Sequence, residues 1–453
     1  MNIMKLKHLL LSAISFIFIA SMNAQFKIDA QYRVRGQALH GYKKPVAKNT
    51  DAAFHIGQRT RLNLRYNNEK FSSLISFQDV RIWGDENNVN GTGVVGKNYN
   101  NTDLYEAWIN FKFGNNDNLK IGRQELKYDD QRHISWRNWW DSGMTYDAIT
   151  YTHDDKASGW RFDISGSYNS KKADLVGNDY SDGTGYFGAV NPILTHNFIY
   201  IKKRIGKLYV SLLGIAAGYQ KEGTKNVINI TGTEGIHINY NATKKGTDGL
   251  FFVGNAFMQN GKNISGKSIS ANMFTAQLGY RTMKKKLELS GKVEYLSGHD
   301  AKNTDADYNK TVHTYNLLYG GRHPYYEGYL DWFVVPKSTL NGGLMNLAFE
   351  LSYKASKKDI LKFGFSNISL ATNVKKVKPN NTVVNFDKGA LANTIDFTYI
   401  RKVNKTIKWM NGFSYGMPTD DFNKMKGITD PGKNYFFYTM LIVQPKLFDS
   451  SKK

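Results

Sequence analysis

At 453 residues, with 41 glycines, 28 tyrosines and 26 phenylalanines against 8 prolines, the chain is built for strands and turns rather than for helical domains joined by linkers. It contains no cysteine, which excludes disulfide frameworks, thiolate metal sites and thiol catalysis together. The formal net charge of +23 raises nucleic acid as a partner, but the basic residues are interleaved with apolar ones at period two, which argues against a nucleic-acid surface.

Lys5 and Lys7 precede an apolar run from Leu9 to Ala20 that is too short to span a bilayer, and "SMNAQ" offers cleavage between Ala24 and Gln25. Residues 1–24 therefore read as a secretory signal peptide and 25–453 as a single domain. From Phe26 to Ala38 the even positions are apolar or small and the odd ones polar, including Arg33 and Arg35. The next strand, "FHIGQRTRLNLRY" over Phe54–Tyr66, puts Arg59, Arg61 and Arg65 on one face and Ile56, Leu62 and Leu64 on the other.

The same alternation marks Tyr105–Phe113, Trp160–Tyr168, Leu287–Tyr295, Leu347–Tyr353, Ile395–Tyr399 and Tyr435–Val443. Counting all such segments gives about eighteen strands, an even number as in bacterial outer-membrane barrels. Short turns such as "YNNEK", "FGNNDN", "KKRIGK" and "RKVNKT" alternate with longer connections at 84–103, 123–144, 170–195, 298–344 and 370–389. Strict alternation gathers the long loops at one end of an up-and-down sheet, which a Greek-key sandwich does not do. The predicted fold is all-β: a transmembrane antiparallel barrel with short periplasmic turns, long extracellular loops, and Tyr and Phe girdles at the strand ends.

In such a barrel the apolar face meets outer-membrane lipid and the polar face lines a lumen. Arg33, Arg35, Arg59, Arg61, Arg65, Arg81 and Arg161 are assigned to the lumen face, with Asp29, Glu106, Asp163, Glu288, Glu294, Glu350 and Asp396 as acids of the same parity. Two readings stand. Arginines and acids brace the wall as cross-strand ladders, or the arginines select anions, and their planar fork suits carboxylated or phosphorylated solutes. Lysines of the short turns are a solvated rim.

"QRTRLNLRY", "FQDVRIWG", "LYEAWINF", "LKIGRQELKYDDQRHISWRNWWDSGMTYDAITY" and "SGHDAKNTDADYNKTVHTYNLLYGGRHPYYEGYLDWF" resemble, in order, the alginate-export outer-membrane porin family. That resemblance implies an eighteen-stranded barrel whose narrow lumen faces an anionic uronate polymer and whose loops occlude the pore. It implies lumen roles for Arg59, Arg61, Asp79, Arg81, Arg123, Arg132 and Asp147. A passive pore leaves the direction of transport to the gradient or to periplasmic export partners. The sequence departs at its end, running "QPKLFDSSKK" instead of finishing on an aromatic.

Other signals weigh little. "GTGVVG" at Gly91–Gly96 has no following helix, and there is no Gly-x-Ser-x-Gly elbow, His-Glu-x-x-His or Walker sequence. His323 and Asp331 lack a placed nucleophile and read as structural. A plugged active transporter needs a plug domain ahead of the first strand. The sequence thus points to a passive channel rather than an enzyme, without cofactor or metal. It prefers anions, with a general diffusion porin for small solutes as the alternative. Connection 298–344 is too aromatic to stand free in water, and 123–144 joins Arg123, Arg132 and Arg137 to three tryptophans suited equally to stacking on sugar rings or to anchoring the loop at the aromatic girdle.

Overall fold

The computed structural model describes residues 24–84, 102–169, 193–220, 227–243, 246–317, 320–321 and 328–451. The signal segment, most of connections 84–103 and 170–195, "GTGVVG" and His323 lie outside them.

Strands β1 (Gln25–His40), β2 (Ala53–Asn67), β3 (Phe71–Ile82), β4 (Thr102–Phe113), β5 (Asp117–Gln124), β6 (Tyr146–Asp155) and β7 (Trp160–Gly166) form the first part of the wall. They are followed by β8 (Ile193–Ile205), β9 (Leu208–Gln220), β10 (Ile228–Tyr240), β11 (Gly249–Gly261), β12 (Ala271–Thr282), β13 (Leu287–Leu296), β14 (Leu344–Tyr353) and β15 (Asp359–Ser369). A small hairpin, β16 (Val374–Val377) and β17 (Val383–Phe386), stands apart from the wall. The wall is completed by β18 (Ala390–Lys402), β19 (Ile407–Pro418), β20 (Asn434–Val443) and β21 (Lys446–Asp449).

Each wall strand pairs antiparallel with its neighbours in chain order, and β20 returns to β1 with Tyr32 opposite Val443 and His40 opposite Tyr435. The result is a closed 18-strand antiparallel barrel. Pro445 interrupts the last strand because it has no N–H, yet its carbonyl still accepts from Ala30, and β21 resumes the pairing with β1. Lys446–Asp449 of the terminal segment thus continue the closing strand, and the Phe448 ring packs near Phe26.

The eight tight connections are made by turn chemistry legible in the sequence. Asn68 Oδ1 accepts the N–H groups of Lys70 and Phe71, and Asn404 Oδ1 those of Thr406 and Ile407. The connections at 41–52, 83–101, 125–145, 167–192, 262–270, 297–343, 370–389 and 419–433 are longer and alternate with them, so the long loops share one rim. Outward positions are aliphatic or aromatic: Ile75 and Phe77, Ile149, Ile199, Leu278, Phe349, Phe363 and Phe413 are all exposed on the barrel's outside. The wall is uneven in height. Strands of 13 residues, rising about 3.3 Å each and tilted about 40°, stand about 33 Å tall, whereas β5 has 8 residues and β7 has 7.

The buried core lies inside the barrel, toward the long-loop rim. Tyr329, Leu330, Trp332 and Phe333 pack against Phe436 and Tyr438 of β20 and against Phe422 of helix α2 (Asp420–Lys426). The described part of connection 297–343 is therefore folded into the mouth, as its aromatic content requires. A short helix α1 (Ala306–Lys310), capped by Asp305, lies on the same connection.

Candidate channel site: an arginine-held loop across the lumen

Four guanidiniums stand together on the inner face of β1 and β2. Arg33 is directly opposite Arg59, Arg61 is opposite Gln31, and Arg35 is opposite Gly57. Like charges in register are destabilising unless something lies between them. What lies there is the backbone of residues 138–142, from the loop joining β5 to β6. Arg33 donates to the carbonyls of Asn138 (2.6 Å), Trp139 (3.3 Å) and Trp140 (2.8 Å), and Arg35 to that of Trp139 (3.0 Å). Arg59 donates to the carbonyls of Trp140 (3.4 Å) and Asp141 (3.2 Å), and Arg61 and Gln78 donate to that of Ser142 (3.4 and 3.0 Å). The Asp141 carboxylate bridges Arg33 (2.5 Å) and Arg35 (3.0 Å). Burial alone would raise its pKa, but Arg35 and Arg33 outweigh that and hold it below the ordinary carboxylate range.

The loop reaches the opposite wall as well. Asp129 accepts from Tyr200 (2.7 Å) and Ser211 (2.8 Å) on β8 and β9, Asp130 accepts from Asn255 on β11 (2.9 Å), and Arg132 pairs with Glu294 on β13. His133 is fully enclosed beside Phe257 and Tyr315; burial pushes its pKa down to about 3, so it is neutral. Arg137 donates to Gly320 of the second inserted loop (3.1 Å). Gly143 turns the chain back at φ +68°, and any Cβ there would meet Arg61 and the Tyr105 hydroxyl at 2.8 Å. Residues 125–145 are thus a strap spanning the lumen, fixed at both ends by charge-assisted hydrogen bonds.

Toward the short-turn rim the inner face is open and strongly charged. Arg65 pairs with Asp29 (2.8 Å), Arg161 with Asp163 (2.7 Å) and Arg281 with Glu288 (2.7 Å). Lys120 lies over the Trp108 ring at 4.4 Å, Lys202 stands directly opposite Arg161, and Arg204 lies 5.6 Å from the Tyr209 ring. Among the described residues none of Lys120, Lys202, Arg204 and Lys362 forms an ion pair with an acid. On β13–β18, Glu288, Lys292, Glu350, Lys362 and Asp396 line a recess of about 390 Å³.

The sequence-assigned site residues therefore separate into three groups. Arg33, Arg35, Arg59, Arg61 and Arg132 point inward and hold the strap; Arg59 is only 1 % exposed. Arg65 and Arg161 line the open part. Asp79, Arg81, Arg123 and Asp147 correct the assignment: they face outward. Val80, not Arg81, is opposite inward-facing Arg59, and Arg123 and Asp147 share the parity of exposed Ile121 and Ile149. They pair with each other, Arg81 with Asp79 (2.5 Å) and Arg123 with Asp147 (2.9 Å), at the long-loop ends of β3, β5 and β6. There an outward charge meets headgroups rather than hydrocarbon. Of the tryptophans at 136, 139 and 140, each has a cation against its ring already: Lys127, Arg35 and Arg137. Sequence reasoning missed Asp141, Lys120, Arg204 and Lys362, and it placed Lys202 with the turn lysines of the solvated rim, whereas Lys202 lies within β8 on the inner face opposite Arg161. The available signal for Asp141 was the need of four in-register arginines for a counter-charge.

The sequence finds no significant match among curated proteins. Solved structures similar in fold include Pseudomonas aeruginosa OccK11 (OpdR), at 10% identity and TM-score 0.56 over 94% of this chain and 96% of that one. A BenF-like porin from Pseudomonas fluorescens Pf-5 matches at 10% identity and TM-score 0.57, over 93% and 99%. Acinetobacter baumannii OccAB2 matches at 11% identity and TM-score 0.58, over 93% and 98%. These likenesses establish the fold. Residues 24–183, which carry β1 to β7 and the whole strap, match the alginate export family.

Proposed function

We propose that this protein is a passive outer-membrane channel that prefers anionic solutes, with a carboxylated polysaccharide or its oligomers as cargo. The observation that carries the reading is the surplus of cations on the open lumen face, where Lys120, Lys202, Arg204 and Lys362 have no acid partner among the described residues. Charged linings decide the sign of what a pore passes. The arginines of the strap contribute less to solute binding than their number implies, because their donors are spent on carbonyls. Arg65 and Arg161, half-exposed and each paired with one acid, remain within reach of a passing carboxylate. The match of residues 24–183 to the alginate export family supports a uronate polymer as the anionic cargo. A passive pore leaves the direction of transport to the gradient or to a periplasmic partner.

Single-channel recording in planar bilayers tests this. The expected result is chloride preference over potassium in a salt gradient, with uronate oligomers interrupting the current in discrete blocks that weaken with salt. Cation preference overturns the anion reading. Equal block by uronate and neutral oligosaccharides replaces the polymer reading with a general diffusion porin.

A further inference from the structure

The outward charges described above stand near the external ends of their strands. Glu234 does not. It lies six residues from either end of β10, on the outward parity it shares with Ile230, Ile236 and Tyr240. Its cross-strand row is Ile199, Gly214, Glu234 and Met258, and the adjacent row is Asn197, Ala216, Gly232 and Asn260. Asn260 donates to Glu234 Oε1 across the bare backbone of Gly232. A Cβ on Gly232 would strike the Asn260 amide and approach Glu234 Oε2 at 3.3 Å, so glycine is what lets this polar pair lie flat on the wall. Beside it Gly166, Asn197, Gly214 and Ala216 floor an open trough of about 650 Å³, bounded by Ile149 and Ile164.

An ionisable side chain at mid-depth on the lipid face of a barrel is strongly disfavoured, and acyl chains offer it nothing but CH₂ groups. One amide satisfies one of its two oxygens. We propose that this face, centred on Glu234 and Asn260, docks a second copy of the same chain about a twofold axis along the membrane normal. The pair is self-complementary: Glu234 keeps an acceptor oxygen and Asn260 keeps a second N–H, so rotation sets the donor of one copy opposite the acceptor of the other. The small side chains around them allow close approach, and Met258, exposed and directly opposite Glu234, stands beside the axis, where it meets its own copy.

The absence of cysteine makes the test direct. Met258→Cys, in the full chain reconstituted in proteoliposomes and treated with a mild oxidant, should give a linked species of twice the monomer mass. Phe413→Cys, outward on the far side of the barrel at β19, should not. Adding Glu234→Leu should cut the Met258→Cys yield about tenfold, the scale of one lost desolvated polar contact, while heat-modifiable migration on gels stays intact. Glu234→Gln, which keeps a hydrogen-bonding end group, should retain it and serves if the leucine variant does not fold. Equal linking at 258 and 413, no linking at 258, linking indifferent to Glu234→Leu, or a product of another mass would overturn the proposal.

Discussion

Arg33 and Arg59 face each other across β1 and β2, and both are buried without a carboxylate of their own strands between them. The arrangement is tolerable only because the Asp141 carboxylate and five consecutive backbone carbonyls, from Asn138 to Ser142, are turned toward that wall. The barrel and the strap therefore depend on one another. Without the strap the wall keeps a cluster of uncompensated cations; without the arginines the strap keeps a row of buried carbonyls facing nothing.

Asp141→Asn should loosen this strap. It removes the charge shared by Arg33 and Arg35 at nearly unchanged volume, and breaking a buried ion pair on one side costs about 3 kcal/mol. The barrel wall, paired along every strand, should survive. The expected outcome is larger and noisier single-channel conductance with unchanged heat-modifiable migration, and unaltered conductance would show that the strap does not limit flow.

The pH dependence of the same contact has a definite sign. A carboxylate held below its ordinary range contributes stability that is present above about pH 4 and is lost only as pH falls through the lower folded value. Conductance should accordingly stay level from neutral pH down to about pH 4 and rise only below it. His133, neutral throughout that window, adds no transition near pH 6.

How much of this was legible in the sequence depends on what each residue type reports. Period-two alternation places Arg33, Arg59 and Arg61 on the inner face because the neighbouring residues divide cleanly into apolar and polar sets. In "FSSLISFQDVRI" they do not: Leu74 and Val80 face inward while Asp79 and Arg81 face outward, so polarity alone misassigns the strand. The neighbouring β2 register settles it, and register is a property of pairing rather than of one segment. The strap is a second limit. "RNWWDSG" carries its acid and its tryptophans in plain view, but that its carbonyls answer arginines about a hundred residues earlier is a matter of tertiary closure.

Lys426 offers an independent check on the loop packing at the mouth. Its ammonium donates to the Ser338 carbonyl (2.6 Å) and lies 5.1 Å from the Phe422 ring, and burial, with Lys376 nearby, pushes its pKa down to about 8. A lysine depressed in the folded state binds fewer protons there than when unfolded, so the cost of charging it is present below pH 8 and relieved as pH rises toward about 10.4. The α2 region should become more resistant to local opening between pH 8 and 10, and acylation of Lys426 should show a midpoint near 8. A midpoint above 10 would mean that the packing around α2 is looser than described.

Arg123 and Asp147 lie on the lipid side, so exchanging them tests the corrected assignment. The Arg123→Gln, Asp147→Asn double variant should leave ion selectivity and uronate block unchanged, with a stability cost within about 1 kcal/mol, as for other exposed pairs. A shortened uronate block would place these residues back on the solute's path.

Selectivity itself should respond on β7 and β8. Lys202 is opposite Arg161, which already holds Asp163, so the Lys202 charge is not consumed by the wall. Lys202→Glu deletes one free cation and adds an acid in register with Arg161, a change of two charge units on the solute's path. Two unit charges about 4 Å apart in water interact by about 1 kcal/mol, so the chloride-to-potassium permeability ratio should fall about fivefold, and the shift should shrink at molar salt. Lys202→Gln should give a smaller change of the same sign. Arg33→Gln, by contrast, should act through the strap, raising conductance rather than reversing selectivity, because its donors already end on the carbonyls of Asn138, Trp139 and Trp140. If Arg33→Gln shifts the reversal potential more than Lys202→Glu does, the selective charge belongs to the strap and not to the open lumen beneath it.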